Sequence, residues 1–197
     1  SDALNQSQRF NTYGMTGCLT FYKSAFYETE IIVKNVMCED GLNIVSSNGS
    51  LSLVHIDKAY SDGVDLDFSN LTFEKITVQG AGNDCLDVSG GVYVIANATL
   101  TSCGDKGISV GEASTLKLSK LILRKAKIGV SSKDSSRVEI LNGSFEKTAV
   151  CAEATKKKQE FGGAYLNIKE LNCDGYNDRA YDHLLDIDTN SIFIGGN

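Results

Sequence analysis

The stretch Ser61-Asp62-Gly63-Val64-Asp65-Leu66-Asp67 returns in altered form as Asn83-Asp84-Cys85-Leu86-Asp87-Val88, and again as Asp105-Lys106-Gly107-Ile108-Ser109-Val110. Upstream, Gly41-Leu42-Asn43-Ile44 belongs to the same series; downstream, Ile128-Gly129-Val130 and Val150-Cys151-Ala152 extend it. The aligned apolar positions are Leu42, Val64, Leu86, Ile108, Ile128 and Val150, at steps of 22, 22, 22, 20 and 22 residues. Two residues on, a second apolar column reads Ile44, Leu66, Val88, Val110, Val130 and Ala152. Two apolar columns with an outward residue between them carry the period of a strand with one buried face. A period held this closely over so many copies marks a solenoid.

Each copy continues into a second alternating stretch, such as Leu71-Thr72-Phe73-Glu74 or Leu116-Lys117-Leu118-Ser119. Turn residues separate the stretches, among them Ser47-Asn48-Gly49 and Gly80-Ala81-Gly82-Asn83. No stretch has a helical period. The sequence therefore predicts an all-β, right-handed parallel β-helix with about 22 residues per coil. The lack of proline suits strands whose every amide donates to a neighbouring coil. One domain spans 1–197: an N-terminal cap or tail over 1–13, repeat coils over 14–172 and a C-terminal cap over 173–197. In that cap, Gly175 to His183 breaks the repeat and Ser191-Ile192-Phe193-Ile194 reads as a last strand. Caps are expected because open coil ends would template edge pairing.

Composition narrows the function. At 42% hydrophobic and 22% charged residues, the chain is an ordinary globular one. Net charge is −6, and the only cationic run, Lys156-Lys157-Lys158, is flanked by Glu153 and Glu160. It reads as a solvated loop, and no nucleic-acid partner is expected. No apolar run reaches the roughly 18 residues of a membrane span, and Ser1 to Asn5 shows no signal peptide. Six cysteines form no CxxC pair, which argues against zinc. On the alignment above they fall in different columns, so packed thiols are expected rather than a disulfide framework. His55 and His183 lie far apart without a nucleophile partner, which leaves a catalytic triad unsupported. Phe21, Tyr22, Phe26 and Tyr27 suit core packing or a cap, with a sugar-stacking platform as the alternative. Asn48, Asn70, Asn97 and Asn142 each begin an N-x-Ser/Thr acceptor pattern, which has meaning only in a eukaryotic secretory protein.

The outward residue of the repeated strand reads Asn43, Asp65, Asp87, Ser109, Gly129, Cys151 on this alignment. Beside it run Val45, Asp67, Ser89, Gly111 and, at the start of the strand, Asp40, Asp62, Asp84, Lys106, Ala126. Coils stack about 4.8 Å apart, so these carboxylates crowd, raising one another's pKa or recruiting a cation. Three readings follow. Asp62, Asp84, Asp87 and Lys106 could act as acid, base or nucleophile toward a sugar. Asp65 and Asp87 could hold Ca²⁺, although no cofactor is required. Or aspartates at strand starts cap backbone amides and recur because the coil recurs.

Those segments, with Gly104 to Glu112, resemble the parallel β-helix repeat proteins of the pectin-lyase-like superfamily over about Gly14 to Leu171. They are most similar to bacterial β-helix domains of unestablished activity found with spore-coat-kinase-like (CotH) modules. That resemblance implies the fold, an extracellular or cell-surface location, and neighbouring domains in a longer natural chain. A more distant likeness is to polygalacturonases: Asp62-Gly63 and Asp84-Cys85 match parts of their motifs. Tyr60, Asn83 and Lys106 stand where that family has Asn, Asp and His, so its mechanism is not expected here. The functional expectation is a surface module binding polysaccharide or a surface glycan, or a cation, through Asn43, Asp65, Asp67, Asp87 and Ser109. The alternative is a lyase, epimerase or hydrolase using the Asp cluster and Lys106. Short turns of constant length favour the binding module, because solenoid enzymes wall their clefts with inserted loops.

Overall fold

The computed structural model describes residues 14–175 and 185–195. It is a parallel β-solenoid of about six turns, all strand and turn, whose coils are 22 residues apart. The strands are β1 (Gly17–Tyr22), β2 (Ala25–Lys34), β3 (Asp40–Val45), β4 (Asn48–Ala59), β5 (Asp62–Ala81) and β6 (Leu86–Cys103). They continue as β7 (Lys106–Gly111), β8 (Thr115–Lys133), β9 (Arg137–Thr155), β10 (Tyr165–Gly175), β11 (Leu185–Ile187) and β12 (Ile192–Gly195). The proposed N-terminal cap over 1–13 and the break over 176–184 lie outside the described residues. The predicted last strand is β12, which pairs with β10.

Each coil has three faces. The first is made by β1, β3, β7, β11 and the segments of β5, β6, β8 and β9 in register with them. The chain then turns onto a second face at Ser46, Phe68, Gly90, Glu112 and Asp134, each with positive φ and each 22 residues from the last. Four of the five are not glycine, so every coil bears left-handed strain that its packing must hold. Serines one or two residues further on supply part of the compensation. Ser47 Oγ accepts the Ser24 amide at 2.9 Å, Ser69 Oγ the Ser47 amide at 2.9 Å, and Ser136 Oγ the Ser114 amide at 3.2 Å. These hydroxyls satisfy amides that the corner removes from the sheet ladder.

The core is a set of aliphatic stacks, with Leu42, Ile44, Val64, Leu66, Leu86, Val88, Ile108 and Val110 all fully buried. Beyond Val110 the register corrects the sequence alignment. Ile108 pairs with Val130, not Ile128, and Ile128 pairs with Lys106. The step is therefore 22 from Leu42 through Ala152, and Ile128 takes the place assigned to Ala126 at the start of the strand. The second core stack continues through Ser132 and Ala154 to Ile187. Ser132 is tolerated there because its hydroxyl donates to Tyr165 O at 3.0 Å.

A glycine column, Gly41, Gly63, Gly107 and Gly129, explains why the step cannot slip. A Cβ at Gly129 would lie 2.5 Å from Cys151 O and 2.9 Å from the Phe145 ring; at Gly107, 2.8 Å from Leu123. Gly129→Ala is therefore expected to lower stability by about 2 kcal/mol, read as a lower urea midpoint with an unchanged m-value. An unshifted midpoint would contradict the packing.

The expectation about cysteines is overturned. Three disulfides form, Cys18–Cys38, Cys85–Cys103 and Cys151–Cys173, with Cα–Cα distances of 5.3, 5.2 and 6.3 Å. No described cysteine is free. With the register corrected, Cys85 and Cys151 share the glycine column. The residues facing that column run Ile56, Val78, Leu100, Leu123, Phe145 and Cys173. Where the facing residue shrinks to Cys173, a sulfur bridge fills the space and the column can carry Cys151. Cys103 likewise replaces the small Ala59 and Ala81 of its own column.

One turn is not short. The spacing between paired residues rises from 22 at Lys133–Thr155 to 28 at Arg137–Tyr165. The insert contains Lys156-Lys157-Lys158, all exposed as expected. It is pinned by Asp134 Oδ1, which accepts the amides of Lys157 and Lys158 at 2.7 Å each, and by an ion pair between Lys158 and Glu112.

Candidate functional site: a polar ladder on the first face

In a parallel stack, identical positions of successive coils lie directly over one another. On the first face the outward column is Thr20, Asn43, Asp65, Asp87, Ser109, Ser131, Glu153 and Asp186, paired neighbour to neighbour throughout. At one coil spacing per rung it runs roughly 34 Å. The predicted rungs Asn43, Asp65, Asp87 and Ser109 are brought together, Asp65 and Asp87 part-exposed and Asn43 and Ser109 buried. Gly129 and Cys151 do not belong to it; Ser131 and Glu153 do, and the corrected 22-residue step is the signal that finds them.

The adjacent outward column holds Tyr22, Val45, Asp67 and Ser89, with Gly111 beyond and Lys133 near Ser109. Asn43 Nδ2 donates to Asp65 Oδ2 at 3.0 Å and to Asp67 Oδ2 at 3.1 Å, clamping two carboxylates with one amide. Burial, then Asp67 and the other neighbouring carboxylates, pushes Asp65 up to about 9. Burial also raises Asp67, against the Asn43 hydrogen bond. Asp87 Oδ1 accepts the Val88 amide at 2.9 Å. Further along, Lys133 Nζ donates to Ser109 Oγ at 2.8 Å, and the Ser131 hydroxyl donates to Glu153. The ladder thus passes from carboxylates at one end to hydroxyls under a lysine, and then to carboxylates again.

The column at the start of the strand does different work. Asp62 Oδ1 accepts the Asp84 amide at 2.8 Å and Asn83 Nδ2 at 2.9 Å. Asp84 Oδ1 accepts the Lys106 amide at 2.8 Å, with Lys106 Nζ 3.6 Å away. Each aspartate caps the next coil, which is the backbone role weighed from sequence. Burial raises Asp84 to about 6 although Lys106 opposes it, and burial raises Asp62. Lys106 sits between Asp84 and Asp105; against the cost of burial, the Asp105 hydrogen bond raises its pKa. Asp105 is in turn lowered, Lys106 and Lys127 outweighing its burial. Asp40, 2% exposed, is pushed up to about 7 by burial, against a hydrogen bond from Thr16, and its Oδ2 has no hydrogen-bond partner.

The aromatics near the start divide. Phe26 is buried and meets Phe21 edge-on at 5.1 Å between centroids, whereas Tyr27 is exposed and Tyr22 half-exposed. His55 lies in β4, off the first face, and His183 lies outside the described residues. Among the described residues no three histidine, cysteine, aspartate or glutamate side chains are grouped as a metal ion requires. No family model matches the chain, nor does any curated protein or solved structure.

Proposed function

We propose that the chain is an exported β-helix module that binds an extended polysaccharide along its first face. The observation that carries this reading is the outward ladder, one polar side chain per coil in unbroken register from Thr20 to Asp186. A linear hydroxyl-rich chain presents donors and acceptors repeatedly along its length. The rungs that reach solvent, Thr20, Asp65, Asp87, Glu153 and Asp186 with Asp67 and Ser89 beside them, offer hydroxyls and carboxyls that can pair with both. The buried Asn43 and Ser131 hold Asp65, Asp67 and Glu153 in place. Three disulfides and no free thiol among the described residues support an oxidising, extracellular or cell-surface location. The resemblance to pectin-lyase-like repeat proteins and to CotH-associated bacterial domains supports the same class, with a neighbouring domain as a further partner.

Calcium at Asp65 and Asp87 is the weaker reading. Asp65 and Asp67 already share the Asn43 amide, and Asp87 accepts a backbone amide. Catalysis by Asp62, Asp84, Asp87 and Lys106 is weaker too. All three of these acids accept backbone amides, and Lys106 is held charged as the counter-ion of Asp84 and Asp105.

Affinity electrophoresis through neutral and uronate polysaccharides tests the proposal. Retardation by at least one polymer is expected, reduced at least about tenfold by Asp65→Ala, a change worth roughly 1.4 kcal/mol. A wild-type chain that no polymer retards, or an Asp65→Ala variant retarded as strongly, would defeat it.

A further inference from the structure

Two neighbouring outward columns run across the second face. One reads Ser50, Thr72, Val94, Lys117, Glu139 and Asn167. The other, skipped by the strand pairing on every coil, reads Ser52, Glu74, Ala96, Ser119, Leu141 and Lys169. The middle of this face is apolar: Val92 and Val94 are 48% and 41% exposed, and Ala96 follows them on the same strand. An open groove of about 740 Å³ lies there, lined in part by Glu28, Thr72, Glu74, Val94 and Ala96.

Charge is ordered about that apolar middle. One coil toward the N-terminus stands Glu74. Three coils toward it stands Glu28, whose amide donates to Ser50 Oγ and whose carbonyl accepts the Ser52 hydroxyl, each at 3.1 Å. One coil toward the C-terminus stands Lys117, and three coils toward it Lys169. All four are exposed, and none forms an ion pair among the described residues. The charges that do pair on this face, Arg137 and Glu139, cancel each other. Free acids and free bases therefore lie at matching distances on opposite sides of one short segment, Val92 to Ala96.

We propose that the second face is the interface of an antiparallel dimer, its occupant a second copy of this chain turned over about a two-fold axis along Val92 to Ala96. Such an axis keeps each column and inverts the order of the coils, so a self-complementary face must carry opposite charges on its two sides. Val94 then meets the partner's Val94, and Ala96 the partner's Ala96. Glu74 lies over the partner's Ser119, two residues from the partner's Lys117, and Glu28 comes level with the partner's Lys169. Each contact occurs twice, which gives four ion pairs around an apolar centre. An axis running along the solenoid would instead set every coil against itself, acid beside acid and base beside base. At the bend, Lys75 and Lys120 meet as like charges, as do Glu30 and Glu170, but that rim is open to water and its ions. The face measures roughly 30 by 15 Å, so two copies bury about 900 Å², the size of a weak and reversible association. The first face stays free in this dimer. The inference goes beyond the polysaccharide reading and does not need it.

Sedimentation equilibrium of the oxidised chain, from about 1 µM to about 1 mM at low and high salt, tests the proposal. A reversible dimer is expected, with a dissociation constant on the order of 100 µM or below, and weaker at high salt. Glu74→Lys and Lys117→Glu should each weaken it at least about tenfold at unchanged melting temperature, since each sets like charges together twice. An equimolar mixture of those two variants should dimerise at wild-type strength, because both pairs are then opposite in sign. A wild-type chain that stays monomeric over the whole range overturns the proposal. So does a dimer that either variant forms unchanged, or one that the mixture fails to restore. Each of these outcomes leaves polysaccharide binding by the ladder untouched.

Discussion

Replacing both Cys151 and Cys173 by alanine is expected to lower the unfolding free energy by about 3 kcal/mol. The bridge closes a 22-residue separation that contains the insert Lys156 to Gly163, so its loss frees the longest turn among the described coils. A solenoid has only nearest-neighbour coil contacts, and its ends open first because each end coil lacks one neighbour. Cys18–Cys38 staples the first described coil, Cys151–Cys173 the last that carries all three faces, and Cys85–Cys103 the middle. Cys151 is fully buried, so the alanine variant also loses packing within the glycine column. Urea unfolding with and without reductant measures the effect. Reduced wild type should fall at least as far as the double variant, since it loses all three staples. A double variant within 1 kcal/mol of wild type would mean that coil stacking alone holds this end.

The fold was legible because it depends on what a sequence displays, apolar residues at a fixed step. Leu42, Val64, Leu86 and Ile108 are spaced so regularly that the coil follows from them alone. The reading slipped where the core departs from hydrophobicity. Ser132 occupies a buried place because Tyr165 O satisfies its hydroxyl, and Ile128 lies outside the core stack, paired with Lys106. An alignment that rewards apolar matches therefore moved two residues. The same slip hid Ser131 and Glu153 from the ladder and hid the column that Cys85 and Cys151 share, and with it the disulfides. Glycine was the better guide, since the Cβ contacts at Gly107 and Gly129 permit nothing larger beside Leu123 and Phe145.

Within the candidate site, sequence showed which acids stack but not what each one faces. Asp62 and Asp65 are three residues apart and both look like ladder aspartates. One caps the Asp84 amide, while the other shares an asparagine amide with Asp67 on the outer surface. That division separates the acids the coil needs from those it merely tolerates, and the tolerated ones are where binding is to be sought. The difference lies in three-dimensional direction, which changes across Gly63, the position left out of the pairing between Asp62 and Val64.

Buried acids leave a signature in pH. Asp40 near 7, Asp65 near 9 and Asp84 near 6 all stand above the unfolded value of 3.8. Burial is the first cause for each. The charged neighbours are Asp62, Glu39 and Asp67 for Asp40; Asp67, Asp40, Asp87 and Asp62 for Asp65; Lys106, Asp87 and Asp62 for Asp84. As pH rises above about 4, the unfolded chain releases protons that the native chain retains, so stability falls until each native group ionises. Below about 4 both states are protonated and the penalty vanishes. Asp105 and Asp188 are lowered instead, so their contribution is lost as pH falls through their native values. The melting temperature should therefore peak near about pH 4 and decline toward about pH 9. Asp40→Asn removes a buried ionisable group whose Oδ2 has no partner. It also substitutes an amide donor on the coil next to Asp62. It is expected to raise stability by on the order of 3 kcal/mol at pH 8, and by almost nothing at pH 4. Calorimetric melts of both proteins across that range decide it. Equal or lower stability of the variant at pH 8 would show that the ionised Asp40 is stabilised by its surroundings, and that the acids of this face are not held there at a cost.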